Sequence, residues 1–102
     1  MRAFEVSLNG KKLCVAGVGD TGVLTAVVNW VAKGGDGDFG LDVGGLIAPS
    51  NQHVSWIPTR PLQVEDEVHI RIVETDRVDE PLQKDTPKTP ASRQIGGIIG
   101  PF

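Results

Sequence analysis

The sequence predicts an all-β protein, a small single-domain antiparallel sandwich or partly open barrel of about six strands with a flexible C-terminal tail. The chain has 102 residues, which suffices for one domain with one modest core. Its 13 glycines and 7 prolines indicate many turns and few long helices. Apolar residues alternate with polar ones in short segments, and turn signals separate these segments about every 8–12 residues.

The N-terminal segment predicts a β-hairpin. Apolar side chains alternate from Phe4 to Leu8, and the pair that follows, Asn9-Gly10, is typical of two-residue type I′ turns. Residues 11–16 return as the second strand. The turn fixes the predicted register, which pairs Leu8 with Lys11, Val6 with Leu13 and Phe4 with Val15. In this register Cys14 lies on the face opposite Leu13 and Val15.

Residues 23–33 fit two different periods. In a helix, one face would carry Leu24, Val27, Val28 and Val31. In a strand, the even-numbered residues from Leu24 to Ala32, with Trp30 among them, would share one face. The valines and the threonine of this segment favour a strand, because β-branched side chains lose χ1 freedom in a helix.

Three further strands are predicted, near residues 39–43, at 53–57 and at 68–73. Residues 34–45 are rich in Gly and Asp and are interpreted as a loop that flanks the first of these strands. The second is expected to stop at Pro58. Trp30 and Trp56 could stack on a sugar or a base, but a chain with no Tyr and three Phe favours both as core residues.

A change in composition predicts a boundary after residue 78. Residues 1–78 form the β domain, whereas residues 79–102 contain four prolines among polar residues and cannot bury enough surface to fold alone. The last eight residues of this tail are largely apolar and could dock on a sheet edge as an added strand. The candidate partner-binding residues there are Ile95, Ile98, Ile99 and Phe102.

Charge, hydropathy and cysteine content exclude several classes of protein. The net charge is −3 and no run of Lys or Arg occurs, so nucleic acid is not expected as a partner. No apolar run approaches the roughly 20 residues that span a bilayer, so no membrane association is expected. The N-terminal segment does not resemble a signal peptide, and Cys14, the single cysteine, can form no intrachain disulfide. We therefore expect a cytoplasmic protein.

Residues 17–22 match the G-x-G-x-x-G pattern of dinucleotide-binding folds, with Gly17, Gly19 and Gly22 as candidate cofactor contacts. Asp42 lies 20 residues beyond Gly22, where such a fold places the acid that binds ribose hydroxyls. The chain is short for a doubly wound sheet, however, and the segment that follows the glycines is β-branched. A Gly-rich turn between two strands is the favoured interpretation.

Three aspartates, Asp36, Asp38 and Asp42, lie in the Gly/Asp-rich segment at 34–45 and could hold one calcium ion through their carboxylate oxygens. An EF-hand loop that began at Asp36 would need Gly at its sixth position, where this chain has Leu41. A solvated hairpin loop without a metal is therefore the favoured interpretation.

Candidate catalytic groups are scattered along the chain. His53 and His69 could join Cys14 in a metal site or a nucleophilic pair, but their spacing shows no metal-ligand pattern. The acids at 65–67 are interpreted as a solvated turn. We expect neither enzymatic activity nor a cofactor.

The sequence thus predicts a non-enzymatic protein–protein interaction or assembly module. It would bind through a sheet edge or face and through its C-terminal tail, either to a protein partner or to itself as a homo-oligomer. Two alternatives stay open: a nucleotide- or dinucleotide-binding protein that uses residues 17–22, and a small-ligand or calcium binder that uses residues 34–45.

Overall fold

Seven β-strands make up the computed structural model, which describes residues 1–85. In chain order they are β1 (Arg2–Leu8), β2 (Lys11–Ala16), β3 (Gly22–Lys33), β4 (Asp36–Ile47), β5 (Gln52–Leu62), β6 (Val68–Glu74) and β7 (Gln83–Asp85). Within residues 1–85 the chain forms no α-helix, and in particular none long and apolar enough to cross a membrane.

The strands form two antiparallel sheets that pack as a sandwich. The smaller sheet has the order β2-β1-β6, and the larger has the order β3-β4-β5-β7. Both sheets contribute to one core, whose buried members are Val6, Cys14, Ala16, Leu41, Val43, Val54, Trp56 and Ile57. The predicted all-β sandwich is therefore confirmed.

The first hairpin forms at the predicted turn, but its predicted register is wrong beyond the pair of Ser7 with Lys12. Asn9 and Gly10 both have positive φ, 52° and 82°, as a type I′ turn requires. A β-bulge after the pair of Ser7 with Lys12 leaves Leu13 without a partner and sets Val6 opposite Cys14. Cys14 therefore faces the core instead of the opposite side, and it is buried.

Residues 23–33 form a strand, as the β-branched composition predicts, and the predicted loop at 34–45 is wrong. A two-residue turn at Gly34 and Gly35, with φ of 62° and 95°, joins β3 directly to β4. The other glycines of this segment lie within β4, where the neighbouring strands come close. A Cβ added to Gly45 would collide with the carbonyl oxygen of Val23, so glycine here serves close strand packing and not a loop.

Strand β5 continues through Pro58, where the sequence predicts its end. Asp42 of β4 lies opposite two residues of β5, Pro58 and Thr59, because the register advances from Val43–Ile57 to Leu41–Arg60. The hydroxyl of Thr59, a residue with φ of 72°, donates a hydrogen bond of 2.7 Å to Oδ1 of Asp42. Within the described chain β7 pairs with β5 only as far as Ser55, so proline interrupts no ladder on that side.

Residues 79–85, which the composition assigns to the tail, pack against both sheets. The N–H of Asp79 donates to the carbonyl oxygen of Val15 (2.8 Å), and the N–H of Val15 donates to Oδ2 of Asp79 (2.8 Å). The indole Nε1 of Trp56 donates to the carbonyl oxygen of Asp79 (2.7 Å). The rest of the predicted tail, with Ile95, Ile98, Ile99 and Phe102, lies outside the described residues.

Candidate interaction surface

Strand β3 is an edge of the larger sheet. All 12 of its residues pair with β4 without a register break, and no strand among residues 1–85 pairs with its other side. The two-residue turn makes Lys33 and Asp36 a hydrogen-bonded pair, and hydrogen-bonded and non-hydrogen-bonded pairs alternate from there. The even-numbered residues from Leu24 to Ala32 therefore direct their backbone N–H and C=O groups toward the open side.

Apolar side chains of β3 reach solvent on both faces of the sheet. Val23, Val27 and Val31 lie on the outer face, and Val28 and Trp30 lie on the face that points toward the smaller sheet. Each of the five is between 45% and 56% exposed. Large apolar residues on both sides of an open edge are typical of a surface that binds protein.

The inner face of β3 is exposed because the two sheets differ in length. Strands β3 and β4 have 12 residues each, whereas the strands of the smaller sheet have 6 or 7. Leu24 and Ala26 pack against the core, whereas Val28 and Trp30 do not belong to it, and Val28 lines a groove at its rim together with Val68 of β6. The sequence-based assignment of Trp30 to the core is therefore wrong, while Trp56, at 4% exposed, is confirmed as a core residue.

Edge strands in soluble proteins usually carry charges, prolines or bulges that prevent further pairing. From Gly22 to Ala32 strand β3 has no charged residue and no proline, and its pairing with β4 has no bulge. The edges of the smaller sheet differ. Strand β6 carries His69 and Arg71, and β2 is flanked by Asp79 through its bonds to Val15.

Gly17 and Gly19 lie in the connection from β2 to β3, and Gly22 is the first residue of β3. A Cβ at Gly17 would lie 2.8 Å from a methyl group of Val78, and a Cβ at Gly22 would collide with the carbonyl oxygen of Leu46. Gly19 and Gly22 also have positive φ, 84° and 152°. Packing and turn geometry thus account for all three glycines.

The candidate metal ligands are not brought together. Asp36, Asp38 and Asp42 are spread along β4, and Asp42 accepts the hydrogen bond from Thr59. Among residues 1–85, no three His, Cys, Asp or Glu side chains form a group that could hold a metal ion. His53 and His69 lie on different sheets.

The thiol of Cys14 is not poised as a nucleophile. Burial raises its pKa to about 11, and the negative charge of Asp79 adds to the increase. A thiol with so high a pKa is almost wholly protonated at neutral pH, whereas reactive cysteines have lowered pKa values.

A shallow groove lies on the outer face of the larger sheet. It has a volume of about 500 Å³ and runs over Gly44 and Gly45, between the side chains of Thr25 and His53. Gly44 contributes to it because it leaves the middle of the outer face without a side chain, whereas the neighbouring Gly45 points to the inner face. The groove adjoins Val23 and thereby extends the surface along β3.

Fold and surface together define a small two-sheet β-sandwich with one long, uncharged and apolar edge strand. Comparisons of the chain with protein-family models, with curated proteins and with solved structures found no match.

The sequence predicts a strand at residues 23–33 and binding at a sheet edge, but it does not indicate that this strand is the edge. One signal was present in the sequence: the 12 residues between Asp20 and Lys33 carry no charge and are mostly apolar or β-branched. An uncharged strand of that length is either central in a sheet or an edge that accepts a partner, and strand order decides between these.

Proposed function

We propose that this protein is a non-enzymatic interaction module that binds an extended segment of a protein by adding it as a strand along β3. The observation that carries the proposal is the edge itself, 12 residues long, open on one side and free of charge from Gly22 to Ala32. Backbone groups of an added strand would supply affinity, and alternating side chains would supply specificity.

The side-chain pattern of β3 defines the segment that would fit. On the outer face, Val23, Val27 and Val31 alternate with Thr25 and Asn29, and this face favours apolar residues with interspersed polar ones. On the inner face, the half-exposed side chains of Val28 and Trp30 offer apolar contact. The partner is therefore an extended, weakly charged segment with apolar residues on both of its faces.

A selection from a displayed library of random 12-residue peptides tests this proposal. The protein is used as bait in three forms: wild type, Val27→Lys, and the matched control Ile72→Lys. Ile72 is 73% exposed on β6, in the smaller sheet and not on the edge of β3. Circular dichroism should show that all three proteins are folded.

We expect peptides selected on the wild type to bind Ile72→Lys equally well and Val27→Lys at least about tenfold more weakly, or about 1.4 kcal/mol. Hydrogen exchange with bound peptide should slow at the backbone amides of Leu24, Ala26, Val28 and Trp30. Peptides that bind all three proteins alike, without protection of these amides, would refute the proposal.

Neither alternative function gains support from the geometry. Residues 17–22 lead into a strand, so no helix N-terminus is available at that point to bind a pyrophosphate. The aspartates of the proposed calcium loop are dispersed along β4. A contribution of the C-terminal residues 95–102 to binding and a cytoplasmic location stay predictions from the sequence.

A further inference from the structure

We propose that the strand that adds to β3 is β3 of a second copy, paired antiparallel about a two-fold axis that passes through Val27. This inference rests on the proposed function, since it assigns the occupant of the same edge. The pairing would join two four-stranded sheets into one continuous sheet of eight strands.

The backbone of β3 permits this pairing. A two-fold axis at Val27 sets each residue opposite the residue equally far on the other side of Val27, so even-numbered residues meet even-numbered ones. These are the residues whose N–H and C=O groups point to the open side. Val28 then exchanges hydrogen bonds with Ala26 of the second copy, and Trp30 does so with Leu24 of the second copy.

The outer face of β3 matches itself in this register. Val27 meets Val27, Val23 meets Val31, and Thr25 meets Asn29. Directly opposed β-branched residues stabilise a sheet, and a hydroxyl opposite an amide can form a hydrogen bond. A shift of the axis by one residue, to Val28, would instead place Val27 opposite Asn29 and Val23 opposite Lys33, so side-chain matching selects the axis at Val27.

On the inner face, the same register gives the exposed side chains of β3 apolar neighbours from the second copy. Trp30 lies opposite Leu24 of the second copy, and Val28 lies opposite Ala26. Leu24 and Ala26 are the residues of β3 that pack against the core. The exposed half of β3 in one copy therefore lies beside the core-packed half of β3 in the other copy. All five half-exposed apolar side chains of β3 would be covered at once, along about 36 Å of strand.

Charge does not oppose the pairing. Lys33, the one charged residue of β3, lies opposite Thr21 and adjacent to Asp20 of the second copy. Like charges therefore do not face each other in this register, and the ends of the paired strands bring together opposite charges.

Sedimentation equilibrium of the full-length protein tests the inference, with charged substitutions at Val27, the residue on the two-fold axis. The wild type and Ile72→Lys should sediment with twice the chain mass, whereas Val27→Lys and Val27→Glu should each sediment as monomers. In the two single variants a two-fold axis sets like charges directly opposite each other. An equimolar mixture of Val27→Lys and Val27→Glu should recover the dimer, which also shows that both variants are folded.

The mixture of Asn29→Lys with Asn29→Glu is the matched control, because the axis places residue 29 opposite Thr25 and not opposite itself. This mixture should recover no more dimer than either variant alone. A monomeric wild type would overturn the second-copy inference and leave the proposed function to the peptide selection. A wild-type dimer that neither Val27 variant disrupts would likewise overturn it, since the contact would then lie elsewhere.

Discussion

The indole ring of Trp30 lies against the ring of Phe39, with the centroids 5.7 Å apart and the planes inclined by 11°. The two residues are directly paired across β3 and β4, on the part of the hairpin that extends past the smaller sheet. The stack gives Trp30 its main intramolecular contact at a position where 56% of the residue is exposed. The two tryptophans of this chain thus occupy opposite environments.

Replacement of the two tryptophans should have unequal effects on stability. Trp56→Ala leaves a cavity in the core and should lower the free energy of unfolding by about 3–5 kcal/mol. Trp30→Ala removes a half-exposed stacked ring and should cost about 1–2 kcal/mol. Urea unfolding followed by circular dichroism measures both, in the Val27→Lys background so that association does not contribute. Equal losses would contradict the assignment of Trp30 to the surface.

Asp79 should act as a structural link between the sheets. Asp79→Ala removes the carboxylate that accepts from Val15 and should cost about 1 kcal/mol, whereas Asp79→Asn keeps an acceptor oxygen and should cost less. A chain that ends at residue 78 also loses the carbonyl bonded to Trp56 and strand β7. Its thermal midpoint should fall clearly below that of a chain that ends at residue 85. Equal midpoints would assign residues 79–85 no structural role.

The thiol of Cys14 should resist alkylation in the folded protein. With its pKa raised to about 11 from an ordinary 9.0, the thiolate fraction at pH 8 is about 100-fold lower than in the unfolded chain. Iodoacetamide labelling followed by mass spectrometry should be slower than in urea by at least this factor. As control, Val64→Cys in a Cys14→Ala background should label at similar rates with and without urea. Labelling of native Cys14 at the rate seen in urea would contradict its burial.

The turn between β5 and β6 should lose stability in acid. The side-chain amide of Asn9 donates to Asp66 (3.0 Å), the N–H of Gln63 donates to its other oxygen (2.7 Å), and together they lower the pKa of Asp66 from 3.8. Because the folded state favours the charged carboxylate, its stabilisation is fully present above pH 3.8 and is lost as the pH falls through the lower, folded-state value.

Asp66→Asn should therefore be less stable than the wild type at neutral pH, and the difference should shrink only below pH 3.8. Urea unfolding at a series of pH values measures this difference. Glu65→Gln removes the same charge from the same turn without touching the bonds to Asn9 and Gln63, and it should show no comparable change. A difference between wild type and Asp66→Asn that is independent of pH would rule out the carboxylate as its source.

Local chemistry made part of the fold predictable. Asn9-Gly10 specified a two-residue turn because both residues tolerate positive φ, and the valines of β3 specified a strand. The register of the first hairpin failed because the bulge at Leu13 depends on what packs against each face, which neighbouring residues do not encode. The prediction of a loop at residues 34–45 is wrong for the same reason. Gly45 is needed because the carbonyl oxygen of Val23 on the adjacent strand leaves no room for a Cβ, and not because the chain turns there.

The candidate site was harder to predict than the strands that build it. Alternation told which residues of β3 share a face, and it placed Trp30 with Leu24 correctly on the inner side. It could not tell how far the opposing sheet extends, and the shorter smaller sheet leaves Trp30 uncovered. Nor could it tell that β3 is an edge, because strand order is set by long-range packing.

Pro58 and Pro61 bear on how far any sheet built from this chain can grow. They lie on β5 beyond its pairing with β7, and β7 itself has three residues, two of them the charged Lys84 and Asp85. The flank of the larger sheet that is remote from β3 is thus poorly suited to accept another strand. Once two copies join through β3, the open edge of each larger sheet is paired. Among residues 1–85 the larger sheet then offers no second edge suited to strand addition, so the assembly would stop at two copies instead of propagating into a fibril.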